Sequence, residues 1–277
     1  MDFLNYWIKE IFNGNLWGFG GVNSNVESIV KQITMSPADA LGTGFWNTLL
    51  KIGTSVIMPF AITILCYAMA CELYTVYCKA NGELDLQLVS TTVVKFILPF
   101  ICITKTYDLM RILFLAFNKL IIQISAALSI GANGQLTDIT ALTNQIDQMN
   151  ILGKIGLMME LIPLLFGVKL MSVVITVIVY GRIIEIVLYW IFAPIPLATF
   201  INSDFGDMGK NFIKMFAAIL LQGGFMILCV AIYSLLIKQH VFEATTNGGW
   251  VLLSYSAVLV FTLAKSGSLS KRLMGTF

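Results

Sequence analysis

The chain has 277 residues, 58% hydrophobic and 12% charged, with mean hydropathy +0.86. Soluble domains carry about 45–50% apolar and roughly 25% charged residues, so this composition excludes a water-soluble domain and implies an all-α polytopic membrane protein. Seventeen basic against fifteen acidic residues leave +2, which gives no basis for the basic patch of a nucleic-acid-binding surface.

The opening stretch, MDFLNYWIKEIFNG, lacks a positive n-region, and Lys9 and Glu10 interrupt any apolar core, so it does not read as a signal peptide. Phe3, Leu4, Trp7, Ile8 and Ile11 fall at helical spacing opposite Asp2, Asn5, Lys9 and Asn13. Residues 1–45 are therefore expected to form an amphipathic region, lying in the interface or packed on the chain's own membrane domain.

A bilayer core needs about 20 mostly apolar residues per helix. About six transmembrane helices are expected within a domain of residues 46–264, near 52–71, 86–104, 112–130, 161–192, 215–237 and 248–264. Residues 131–150 are polar and turn-rich, and 265–277 read as a short basic cytoplasmic tail. Basic residues in short loops orient such chains. Lys9, Lys31, Lys51, Lys105, Arg111, Lys210, Lys214, Lys265, Lys271 and Arg272 fall on one side, against Lys79, Lys154 and Lys238. That puts both termini in the cytoplasm. Were the Leu161–Phe192 run two passes, the amino terminus would move outside.

The charges inside these spans are the candidate functional residues. Each costs about 2.5–3.5 kcal/mol at mid-bilayer, so Lys95, Lys119, Lys169 and Arg182 are expected to face a bundle interior, a subunit interface or a watery cavity, or to snorkel. Arg182 and Glu185 are spaced to pair along one helix face. The pair either marks the cytoplasmic end of an overlong helix, or one member lines a pore or docks a partner. Ala193-Pro194-Ile195-Pro196 is expected to stop the helix and drive the chain toward extended geometry. A polar inner loop with Asp204, Asp207 and Lys210 follows, so Pro194, Pro196 and this loop form a candidate broken-helix element. Gly223, Gly224, Ser254, Ser256 and Ala257 suit close helix approach.

No catalytic, cofactor or metal site is expected. His240 is the sole histidine, and Cys66, Cys71, Cys78, Cys102 and Cys229 show no metal-ligand spacing and read as small apolar filler. No GxSxG, HExxH or Walker motif occurs.

The pattern YGR-x-x-E-I, API-P-x-A, G-x-M-G-x-N and a Q-G helix ending in CVAIY, all between Tyr180 and Tyr233, resembles the TrbL-like inner-membrane subunits of type IV secretion systems. The branch is that of conjugative elements in Gram-positive bacteria. MDFLNYWIKEIF and VIMPFAITILCYAMACELY are similar too. The resemblance covers most of the chain and is strongest over 170–240. It implies a non-enzymatic channel or platform subunit of the cytoplasmic membrane, forming a homo-oligomeric ring in the lipid bilayer. It also implies partners among the secretion ATPases and other inner-membrane components, and single-stranded DNA carried by a relaxase as cargo. Two other classes remain as alternatives. A small-solute secondary transporter would use Lys95, Glu72 and Lys169 and predicts paired broken helices. A sensor or immunity protein would need a soluble recognition domain, which the sequence does not offer.

Overall fold

The computed structural model describes residues 29–79, 86–128, 150–199, 206–240 and 248–276. Every regular element among them is helical, as expected of a membrane protein whose backbone groups must be satisfied within each segment. In chain order they are α1 (Pro37–Leu41), α2 (Thr43–Ile52), a π-turn (Gly53–Ile57), α3 (Met58–Lys79), α4 (Leu86–Lys95), α5 (Ile97–Thr104), α6 (Thr106–Ala127), α7 (Ile151–Phe192), α8 (Pro194–Ala198), α9 (Gly206–His240) and α10 (Gly248–Leu273).

Four helical segments among the described residues are long and apolar enough to cross a membrane: Thr43–Lys79, Thr106–Ala127, Ser172–Phe192 and Gly206–Leu236. The Leu161–Phe192 run lies in one continuous helix of 42 residues, so it is not two passes. The expected span at 86–104 is interrupted, with α4 and α5 only 10 and 8 residues long. The expected span at 248–264 falls within α10. Residues 265–273, read as part of a tail, continue that helix, and Ser266 and Ser270 are fully buried on it. Of the amphipathic region, residues 1–28 lie outside the described residues, as do 131–149 of the polar stretch.

Local chemistry explains where the helices start and break. Ser36 caps α1 by accepting the Asp39 amide at 3.2 Å, with Pro37 at the first helical position, where its missing N–H is no loss. Gly42 then takes φ +82°, which glycine adopts freely. Three further irregularities each lie about one turn before a proline. Pro99 cannot donate to the Lys95 carbonyl, and its ring crowds that oxygen; the helix breaks at Phe96. Pro194 and Pro196 remove the donors for Trp190 and Phe192, and the break falls at Ala193. Pro59 removes the donor for Ser55, inside the π-turn. Pro163 lies within α7 without interrupting it.

The chain divides into two compact units, Met1–Met35, Lys119–Gly181 and Gln222–Leu269 forming the first and Ser36–Asn118, Arg182–Leu221 and Ser270–Phe277 the second. The first has a core of Ile121, Ile175, Val179, Ile227, Val230 and Leu259 with their neighbours. Two buried side-chain hydrogen bonds tie α9 to α10 there. Tyr233 Oη lies 3.0 Å from Ser256 Oγ, and Gln222 Nε2 donates to Ser266 Oγ at 3.3 Å. Such bonds supply specificity between apolar helices where the hydrophobic effect cannot.

The second unit holds an aromatic cluster. Trp190 meets Trp46 edge-on at 5.3 Å between ring centroids, and Phe114 and Phe216 lie against the same indole. A separate small-residue contact brings Ala61, Leu65 and Ala68 of α3 against Phe96, Ile103 and Ala198. Through it the one-turn helix α8 packs on α3 and α5. Tyr107 joins three irregular segments. Its hydroxyl donates to the Ile191 carbonyl at 3.3 Å in the last turn of α7, and its ring end occupies the space beside Gly53.

Candidate functional site

Among the candidate charges whose side chains are described, Arg182 alone is buried, with 4% of its surface exposed. Its face of α7 repeats Ile183, Ile186, Val187 and Trp190, all buried, so helical periodicity carries the guanidinium inward with them. It donates from Nε to the Ile219 carbonyl at 3.2 Å and from Nη2 to the Leu220 carbonyl at 3.3 Å, both on α9. Helical carbonyls keep a second lone pair after their own ladder bond. Hydrogen bonds to a charged group contribute about 1.5–3 kcal/mol each, enough to offset the roughly 2.5–3.5 kcal/mol insertion cost of one arginine. The arrangement cross-links α7 to α9 through the backbone, a contact that no side-chain substitution on α9 can remove directly.

The expected Arg182–Glu185 pair is corrected. The two side chains leave α7 in different directions and take separate partners. Glu185 is half-exposed, and its Oε1 lies 3.6 Å from Lys271 Nζ on α10. The reason is rotational: three residues advance a helix by about 300°, which puts Arg182 on the buried face and Glu185 at its edge. Because both Lys271 and Glu185 keep more than a third of their surface, the pair contributes at most about 1 kcal/mol. Thermal unfolding of Glu185→Gln and Lys271→Ala is expected to shift only slightly, and exchanging the two charges should restore the original midpoint.

The proline element is also corrected. Ala193 keeps helical geometry, φ −51° and ψ −36°, and Pro194 opens α8 instead of an extended segment. Pro194 and Pro196 lie within the first three residues of a new helix, where their absent N–H groups would have no helical acceptor. Pro194 is buried and Pro196 half-buried. The Leu197 amide reaches back to the Ala193 carbonyl at 3.3 Å. The segment is a kink followed by a packed helical turn.

The remaining candidates are dispersed. Lys95 is exposed at the last position of α4, beside the break at Phe96, and Lys119 is exposed on α6. Lys169 lies on α7, with its side chain outside the described residues. Asp207 and Lys210 form an exposed ion pair at 3.3 Å in the opening of α9, and Asp204 lies outside the described residues. The second unit thus gathers Lys95, Arg182, Glu185, Pro194, Pro196, Asp207 and Lys210, while Lys119 and Lys169 belong to the first. Among the described residues no group of His, Cys, Asp or Glu could hold a metal ion. Of the cysteines, Cys229 is half-buried and packs against the core of the first unit as filler, Cys71 and Cys102 are half-buried, and Cys66 and Cys78 are exposed.

Sequence reasoning missed Tyr107 and Gly53. A signal for Gly53 was present in the four-residue spacing Gly53, Ile57, Ala61, Leu65; nothing local distinguishes Tyr107 from other tyrosines.

Residues 22–194 match the family model for TrbL/VirB6 plasmid conjugal transfer like protein. No curated protein and no solved structure matches the chain. The match includes Lys95, Lys119, Lys169, Arg182 and Glu185 and ends at Pro194, so G-x-M-G-x-N and the Q-G helix lie beyond it. It covers more than half of the 277 residues and agrees with an all-helical architecture bearing membrane-length apolar helices. This chain belongs to the TrbL/VirB6 family of plasmid conjugal transfer like proteins, structural membrane subunits of conjugative type IV secretion.

Proposed function

We propose that the protein is a multi-pass, non-enzymatic subunit of the cytoplasmic membrane that assembles into a homo-oligomeric ring. The ring engages the secretion ATPases and other inner-membrane components and forms part of the path by which single-stranded DNA leaves with its relaxase. The observation that carries this reading is the family match combined with what the spans leave open. Only 22% of the apolar window in Thr43–Lys79 and 17% of that in Thr106–Ala127 is buried within one chain, and Lys119 projects from the second of these. A lysine on an open membrane face is costly against lipid and is accommodated by a subunit interface or a water-filled passage. Arg182, Glu185 and the α8 kink serve as the framework near which partners dock. The basic residues on the side assigned to both termini orient that framework toward the cytoplasm.

The test is the mass of the purified protein in native lipid, together with donor-to-recipient DNA transfer by a strain carrying Lys119→Leu. A discrete closed oligomer and a transfer loss of at least tenfold are expected. A monomer in every lipid condition, with normal transfer by the variant, would overturn the reading.

The solute-transporter alternative gains one feature, because a second interrupted helix exists at Phe96 and meets α8. The contact between the two breaks includes the apolar Ala61, Leu65, Ala68, Phe96, Ile103 and Ala198; the family match is what favours the secretion reading.

A further inference from the structure

The helical segment Thr43–Lys79 contains a π-turn at Gly53–Ile57. Gly53, Ile57, Ala61 and Leu65 are all buried. In an α-helix each four-residue step overshoots a turn by about 40°, so three steps would carry Leu65 about 120° away from Gly53. The π-turn absorbs one residue, about 100°, and so keeps the four positions on one face. Two features hold it, one a missing donor and one a contact. Pro59, exposed at the second position of α3, cannot donate the α-helical bond to Ser55. Tyr107 fills the space beside Gly53, a space any Cβ would occupy, and is anchored through its hydroxyl to Ile191.

The segment ahead of the π-turn is only partly packed. None of the ten residues of α2 is fully buried. Its other end is Gly42, at φ +82°, a glycine hinge adjoining α1. α2 is anchored by the half-buried Trp46, edge-on against Trp190, and by the half-buried Leu49 and Leu50, which pack against the neighbouring cores. Beneath Trp46 the indole Nε1 of Trp190 is buried and has no hydrogen-bond partner, which costs about 1–3 kcal/mol in this position.

We propose that α2 is a two-position segment, in which withdrawal of Tyr107 from Gly53 lets the π-turn revert to α-helix, turning α2 about 100° between Gly42 and α3 and uncovering the Trp190 indole. The turn lifts Trp46 from Trp190 and gives the orphaned N–H access to an acceptor. It moves the tip of a side chain on α2 by roughly 8 Å across a helix about 10–12 Å in diameter. The device is local to this helix and does not depend on what the ring carries.

The test is a spin-label distance measurement on the full chain in lipid. The native cysteines are replaced, and labels are placed at Asn47 on α2 and Lys214 on α9, both exposed. The wild-type chain should give a main distance for the π register. Pro59→Ala, which restores the α-helical donor at a position that packs against nothing, should move the weight of the distribution to a second distance several ångströms away. Tyr107→Ala should move it to the same second distance by the independent route. A single unchanged distance in all three proteins would overturn the proposal, as would two variants shifting to unrelated distances. Because Pro59→Ala disturbs no packed side chain, a folded sample is available for the decisive comparison.

Discussion

Replacing Arg182 with glutamate is expected to leave little or no folded protein in the membrane, whereas Arg182→Met should fold and melt close to the wild type. The guanidinium is buried and points two donors at the Ile219 and Leu220 carbonyls. A carboxylate there would face two acceptors with nothing to donate, in a site from which water is excluded. Uncompensated buried charges of this kind destabilise by about 3–5 kcal/mol, a large part of the roughly 5–15 kcal/mol that stabilises a typical domain. Methionine removes the donors and the charge together. The two carbonyls keep their own helical bonds and are not orphaned, and an apolar side chain of similar length fills the space. Replacing a buried ionic group by a well-packed apolar one is often neutral or stabilising. Membrane yield and the thermal midpoint in detergent read the fold, and DNA transfer reads function. If Arg182→Met melts normally but transfers at least tenfold less DNA, the charge serves the machine and not the fold. Normal transfer by Arg182→Met would assign the arginine to helix packing alone.

Gly53→Ala should be the most damaging single-methyl change in the second unit. A Cβ built on Gly53 lies 2.8 Å from Tyr107 Cζ and 3.3 Å from its Cε1, with the hydroxyl nearer still. The ring cannot slide away freely, because its hydroxyl is bonded to Ile191 at the end of α7. Overpacking of this kind costs about 1–3 kcal/mol, and displacing the ring also forfeits a hydrogen bond of about 1 kcal/mol. A double-mutant cycle with Tyr107→Ala isolates the contact. The pair of substitutions together should destabilise less than the sum of the two, with a coupling of about 0.5–3 kcal/mol, the range for residues in contact. Additive thermal shifts would show that the ring is not seated against Gly53. By contrast, the Lys271–Glu185 pair, visible in the same unit, should show almost nothing in such a cycle, since water or headgroups screen its partly exposed charges.

Composition and apolar run length alone determined that this is an all-helical membrane protein, because a bilayer admits few other architectures for a chain with so little charge. The YGR-x-x-E-I run and the first apolar span led to the TrbL-like family, and both lie within the matched residues. Pro59, Pro99, Pro194 and Pro196 also marked the irregular helices, since a missing N–H disturbs the turn before it, although Pro163 lies within α7 without interrupting it. What the break becomes was not legible. Ala193 stays helical and α8 packs on α3 and α5, because the apolar faces of Leu197 and Ala198 find partners distant in sequence, and that burial outweighs the local preference for extended backbone. Spacing placed Arg182 and Glu185 close enough to pair. The tertiary structure gave them to different helices, because a charge in an apolar layer bonds whichever acceptors the neighbouring helix presents at that height. Tyr107 shows the same limit. Its role depends on a glycine 54 residues earlier and a carbonyl 84 residues later, and only packing brings those three points together.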